Sequence, residues 1–222
     1  MSTLQKNNPS LGLDVEAILK QQGQNTPLKA SSMSDAQKIK KIAANFKEIM
    51  ETLGLDLSDD SLCDSPNRVA KMYVNELFGG LNPANFPKCT TIENKIDYDE
   101  MVLVRDIKVM SNCEHHFVII DGFAHVAYIP NGKVLGLSKI NRIVNYFSRR
   151  PQVQERLTHQ IFHALSHILD TQDIAVVIDA THYCVKARGV EDGSSHTYTS
   201  KLGGKFKSNP ATRSEFLSLL KK

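Results

Sequence analysis

The stretch FVIIDGFAHVAYIPNG, residues 117–132, decides the fold. Its β-branched and aromatic residues form a run of strand length, and Pro130-Asn131-Gly132 closes it as a turn. MVLVRDIKVM lies before it and KVLGL after it, both with the same texture. Two helical patterns follow. SKINRIVNYFSRR opens on Ser138 as a cap and is broken by Pro151, and QVQERLTHQIFHALSHILD carries Val153, Leu157, Ile161, Leu165 and Ile168 on one face. DIAVVIDATHYCVKARGV then reads as strand, and SHTYTSKLGGKF as a further one. Strands, two helices, then strands predict an α+β domain: an antiparallel sheet with two helices on one face, over residues 97–222.

Ahead of it, residues 1–96 read as an N-terminal arm and helical region. A short helix is expected around residues 13–21, in an arm loosely held or tied down by a partner subunit. SDAQ, with Ser34 as N-cap and Gln37 three residues on, is a capping box that opens a helix ended by Gly54. SPNR opens the next, with Ser65 as cap and Pro66 at the first helical position. Val69, Met72, Tyr73, Val74 and Leu77 form its apolar face, and Arg68 and Lys71 project from one side.

The chain has 222 residues, 41% hydrophobic and 23% charged, with a formal net charge of +3. A core is affordable, and the charge is too mild to argue for nucleic acid. No apolar run approaches the roughly 20 residues that span a bilayer, and the start of the chain lacks signal-peptide character. The expectation is a cytoplasmic protein without membrane or nucleic-acid partners. Its four widely spaced cysteines, Cys63, Cys89, Cys113 and Cys184, then favour metal binding or catalysis over disulfides.

SNCEHHFVIIDG places Cys113 and His116 at Cys-x-x-His spacing. Side chains three apart on a plain strand face opposite ways, so the backbone must turn at Glu114-His115 for both to hold one ion. A bare surface loop would explain this half-site alone. THYCVKARG adds His182 and Cys184, two apart and on one face if the strand continues. Cys113, His116 and Cys184 make a soft sulfur–nitrogen set suited to Zn²⁺ and leave one tetrahedral position open, as catalytic zinc sites do. His115 and His182 would flank it as acid/base groups. A Cys113–Cys184 disulfide is the competing reading. His159, His163 and His167 fall off the apolar face of their helix and read as a solvated stripe.

Cations recur at element starts: Ser138-Lys139 with Arg142, Lys186 with Arg188, and Arg68 with Lys71. Together with a helix N-terminus they would suit a polyphosphate, while ordinary surface charge explains any single pair. Glu155, beside Gln154 in a first helical turn, serves the helix dipole or accepts two hydrogen bonds from a guanine-like ring.

CEHHFVIIDG, YIP, GLSKINRIV, RRPQVQERLT, HYCVKARG and TSKLGG, with DDSL and NRVAKMYVNELF upstream, together resemble GTP cyclohydrolase I, from about Ser34 to the C-terminus. The resemblance implies the tunnelling fold and a homodecamer of two pentamers. It implies hydrolytic opening of the GTP imidazole ring with loss of formate to give 7,8-dihydroneopterin triphosphate, the entry to folate or tetrahydrobiopterin biosynthesis. It also implies zinc held by Cys113, His116 and Cys184, with His115 and His182 as catalytic imidazoles. Gln154 and Glu155 would read the guanine edge, Ser138 would lie by the ribose, and Lys139, Arg142, Arg188, Lys71 and Arg68 would surround the triphosphate. Two other readings compete. One is another zinc-dependent tunnelling-fold enzyme, acting on a pterin or deazapurine. The other is a zinc-stabilised binding module, which the absence of Trp and 7% aromatic content disfavour.

Overall fold

The computed structural model describes residues 7–221. Helices α1 (Pro9–Gln21), α2 (Asp35–Thr52) and α3 (Ser65–Met72) come first. After α3 the chain loosens into a π-helical turn at Tyr73–Leu77 and two short 3-10 turns. Strand β1 (Thr91–Glu93) is followed by β2 (Val102–Cys113), β3 (Ile119–Tyr128) and β4 (Lys133–Leu135). Helix α4 (Leu137–Ser148), the short β5 (Pro151–Gln152) and helix α5 (Gln154–Leu169) lead to β6 (Ile174–His182). A single helical turn α6 (Tyr183–Lys186), β7 (Thr197–Leu202), α7 (Gly204–Ser208) and α8 (Pro210–Leu220) complete the chain.

The main sheet has the order β5-β2-β3-β6-β7. Its neighbours are antiparallel except β2 and β5, which run parallel. β1 and β4 form a separate antiparallel pair. α4 and α5 bury Ile140, Ile143, Val144, Phe147, Leu157, Ile161 and Leu165 against Val109, Ile120, Ala124, Val126, Val176 and Ile178 on one face. The other face is partly covered by α7 and α8, where Phe206 and Phe216 pack on Ala127, Ile129, Ala175 and Val177. The fold is thus mixed helix and sheet, with alternate strand residues serving two cores.

This topology positions the site. β2 and β6 are both antiparallel to β3, so they run parallel to each other and end on the same side. The register sets Ser111 opposite Ile120 and Ile120 opposite His182. Gly122 allows β3 to approach β6 this closely, because a Cβ there would lie 2.1 Å from the Asp179 carbonyl oxygen. β5 pairs with the end of β2, Cys113 opposite Gln152, which brings the start of α5 to the same side.

The caps follow the expected chemistry in part. Ser34 and Gln37 form the reciprocal box at α2, and Gly54 follows the helix with φ of 80°. At α3 the N-cap is Asp64 rather than Ser65, and at α4 it is Gly136 rather than Ser138. Neither makes a side-chain cap to the free backbone N–H groups of its helix, so the packing of each helix, not the hydroxyl, fixes where it starts.

The N-terminal arm is tied down within the chain from α1 onward. Val15 and Leu19 are buried in the main core. Arg150, 1% exposed, is stacked against the Tyr146 and Phe147 rings and donates to Glu16 of α1, to Thr26 and to the Tyr146 hydroxyl. Gln160 donates to the Gln24 carbonyl and accepts from Gln152. Polar groups spaced far apart in sequence hold the arm, so local composition could not reveal it.

The histidine stripe of α5 is a correction too. His167 is exposed, but His159 and His163 are half-buried, their rings 6.1 Å apart, beside Phe162 and Lys201 of β7. Burial first, then His159 and Lys201, push the His163 pKa down to about 4. An unfolded chain has this group near 6.5, so between those values it binds more protons than the folded one. Stability therefore rises with pH through that window and levels off above it. The urea midpoint is expected to fall as pH is lowered from about 7 to about 5, and to fall less in His163→Gln. Equal slopes would remove His163 as a source of the dependence.

Candidate metal centre and its surroundings

Cys113 is the last residue of β2 and is buried. The chain then turns sharply: the Phe117 N–H donates to the Cys113 carbonyl and the Cys113 N–H to the Val118 carbonyl, each at 2.8 Å. Phe117 takes φ of 56°, a left-handed conformation uncommon for an aromatic residue. The turn at Glu114-His115 that the Cys-x-x-His spacing requires is therefore present. Phe117 is anchored by Phe78 and Tyr73, with ring centroids at 5.3 and 6.3 Å. The π-helical turn after α3 is what aims both rings at it.

The strand carrying His182 ends there. Residues 183–186 form one helical turn, closed by the Ala187 N–H donating to the Tyr183 carbonyl. The expected strand alternation that would place His182 and Cys184 on one face fails. Cys184 nevertheless reaches Cys113, because the turn curls over the end of the sheet. Lys186 lies over the Tyr183 ring instead. Arg188 Nη1 donates to His116 Nε2 at 2.8 Å.

One ligand atom from each of Cys113, His116 and Cys184 lies within 4.8 Å of the other two. Two thiolates bound tetrahedrally to one zinc would sit about 3.8 Å apart, given Zn–S bonds of about 2.3 Å. The three donors need only a small contraction to hold a metal. Among the described residues no other group of three or more such side chains converges this way. The His115 ring lies as near to Cys113, Nδ1 to Sγ 3.7 Å against 4.0 Å for His116, but His115 is not part of the group. All four cysteines are free thiols. Burial and the adjacent Cys113 thiol push the Cys184 pKa up. Two neighbouring thiols resist ionising together without a cation between them, and a metal supplies one.

His182 is held from behind. Gln154, 1% exposed, uses its amide nitrogen on the Ile178 and Thr197 carbonyls and the Thr199 hydroxyl, at 2.8–3.1 Å. Its Oε1 therefore faces His182 Nε2, 2.7 Å away, and accepts from it. Gln154, expected beside Glu155 at a guanine edge, has both ends of its amide engaged inside the chain. Burial lowers the His182 pKa, and Glu155 opposes that shift. Glu155 itself is exposed in the first turn of α5 and makes no ion pair among the described residues. Its neighbour Arg156 forks onto Glu114, with Nη1–Oε2 2.5 Å and Nη2–Oε1 3.1 Å.

The remaining cations are spread out. Lys139 and Arg142 on α4 flank Cys89, whose thiol burial raises to about 11 against their opposing charge. Arg142 also lines a polar hollow of about 320 Å³ with Asn75, Asn145 and Arg149. Arg68 is paired with Asp64 at 3.2 Å, with Lys71 nearby. Ser138 is exposed at the second position of α4. Among the described residues, no hydrogen bond or ion pair joins Ser138, Lys139, Arg142, Lys71 or Arg68 to the Cys113 group.

The model of the family GTP cyclohydrolase I matches residues 42–221. The chain belongs to the GTP cyclohydrolase I family. Among curated members, GTP cyclohydrolase 1 of Aeromonas hydrophila is 62% identical, over 94% of this chain and 95% of that protein. The protein of the same name from Aeromonas salmonicida is 62% identical over 93% and 95%. That from Vibrio parahaemolyticus is 59% identical over 91% and 94%. The GTP cyclohydrolase I match covers the metal turn, both helices of the sheet and the α6 turn. No described helix is long and apolar enough to cross a membrane.

Proposed function

We propose that this chain is a zinc-dependent GTP cyclohydrolase I. It opens the imidazole ring of GTP hydrolytically and releases C8 as formate, giving 7,8-dihydroneopterin triphosphate at the start of folate or tetrahydrobiopterin biosynthesis. The convergence of Cys113, His116 and Cys184 at one end of the sheet carries this reading, together with family membership. A zinc ion bound there supplies Lewis acidity beside the reacting carbon.

The other roles belong to side chains. His182, oriented by Gln154, and His115, at the rim of the metal turn, exchange protons, one at purine N7 and the other at the ribose ring oxygen. Protonating N7 makes C8 electrophilic, so the donor must sit on the N7 side. Glu155 accepts from the adjacent N–H groups of the guanine edge; it is exposed in the first turn of α5 and makes no ion pair among the described residues. Gln154 contributes through His182. Ser138 lies by the ribose, and Lys139, Arg142, Arg188, Lys71 and Arg68 bind the triphosphate.

In this reading residues 97–222 form a tunnelling-fold catalytic domain behind a helical region of residues 1–96. The protein works in the cytoplasm as a homodecamer of two pentamers. The separation of the α4 cations from the Cys113 group within one chain favours sites completed between copies. The test is incubation with GTP or guanosine, with and without a chelator, following formate and pterin fluorescence. Formate from GTP, little from guanosine and none with chelator is expected. Equal turnover of guanosine would favour a tunnelling-fold enzyme of a different substrate.

A further inference from the structure

Arg156 sits where a cation is unfavourable. It is the third residue of α5, in a first turn whose free N–H groups present positive potential. Glu155 beside it suits that potential, whereas Arg156 opposes it. Glu114 offsets the Arg156 charge from another element, and by a bidentate fork rather than a loose contact. The Arg156 and Glu114 side chains are 17% and 24% exposed, so the pair is only partly screened by solvent. Arg156 holds the Glu114 carboxyl below the usual carboxylate range.

The location gives the pair its meaning. Glu114 lies inside the turn that carries Cys113, His115 and His116. Arg156 follows Gln154, which holds His182, and Glu155. A backbone bond from the Glu114 N–H to the Gln152 carbonyl, 3.0 Å, joins the same two segments. Glu114 is neither in the metal-ligand group nor free to act as a base, because Arg156 occupies both of its oxygens. On the other flank Phe117 is locked by Tyr73 and Phe78. The metal turn is thus clamped at both ends, and the α5 clamp ties it to the element bearing the base-reading carboxylate.

We propose that Glu114 and Arg156 are a positioning pair that fixes the distance between the metal turn and the start of α5, and so between the bound metal and the purine held by Glu155. The inference rests on the GTP cyclohydrolase reading above. A reacting carbon misplaced by about 1 Å can cost about 100-fold in rate, and loss of an outer partner of a metal site weakens metal binding about 10- to 100-fold.

The experiment is a double-mutant cycle of Glu114→Gln, Arg156→Gln and both, with Arg156→Lys as the conservative variant. Melting temperature, zinc affinity by chelator competition, and kcat and KM for GTP are measured on each. Both single variants are expected to lose about 10- to 100-fold in kcat and about 10-fold in zinc affinity, while the double variant is no worse than the weaker single one. Arg156→Lys keeps the charge but not the fork. It is expected to melt like the wild type while remaining deficient in kcat. Wild-type kcat and zinc affinity in either Gln variant, losses that multiply in the double variant, or full kcat in Arg156→Lys would each overturn the proposal. Should a Gln variant not fold, Arg156→Lys decides alone by the same split between melting and kcat. If the wild type released no formate from GTP, the functional reading would fail, while the coupling in zinc affinity would still decide this one.

Discussion

Cys184→Ser is expected to leave the purified chain without stoichiometric zinc and without turnover of GTP. Three donors from two segments converge where an ion would be held, and each segment alone offers at most a Cys-x-x-His half-site or a lone thiol. Losing the thiol of α6 removes the donor that, among the described residues, would link the second segment to the first. Loss of a mere outer partner costs about 10- to 100-fold in affinity, so loss of a ligand should exceed that. The serine hydroxyl is isosteric, and Cys184 is only half-buried, so the fold should persist. Zinc content after gel filtration, circular dichroism and formate release measure the three consequences separately. Full zinc occupancy in Cys184→Ser would remove this residue from the ligand set, whatever happened to the rate.

His182→Ala should do the opposite: keep zinc and lose chemistry. A positioned acid or base contributes about 100- to 10,000-fold, and a drop of that size in kcat is the expected result. His182 stands at the end of β6, outside the metal group, with Nε2 on Gln154. Removing it takes no donor from the metal. His115→Ala is expected to behave the same way, because the ligand role falls to His116 in the group of three. Single-turnover formate release with zinc quantified on the same sample makes the comparison. Normal kcat in either variant would end its assignment as an acid/base group, and lost zinc in His115→Ala would reopen the choice between the two adjacent histidines.

The contrast between these two results reflects what could be read from the chain in advance. The strands were legible because β-branched residues cluster between turn residues, as in the run 117–132 that opens into β3. The α2 box was legible because Ser34 and Gln37 satisfy each other locally. Where the deciding contact is distant, the pattern misled. HYCVK reads as strand by composition, yet it turns helical where β6 passes the end of the sheet and has no further partner on its path. His163 looks solvated on a helical wheel but is half-buried, with the Lys201 charge of β7 nearby. The C-terminal helix α8 has a local signal too, since Asn209 and Pro210 form its cap and first-turn pair. A charge near a helix start, as at Arg156, looks ordinary in sequence. Its sign, opposed to the helix dipole, was the available clue.

Local chemistry sets the donor types and their spacing: two thiols, the adjacent histidines, and a carboxylate in a first helical turn. Covalent neighbours and the strand and helix periods settle those. Their meeting depends on how the sheet is assembled. β2 and β6 share β3 as an antiparallel partner, and β5 runs parallel to β2, so three segments leave the sheet at one end. That shared exit, fixed by hydrogen-bond register and not by any local preference, sets Cys184 on Cys113, Gln154 on His182 and Arg156 on Glu114.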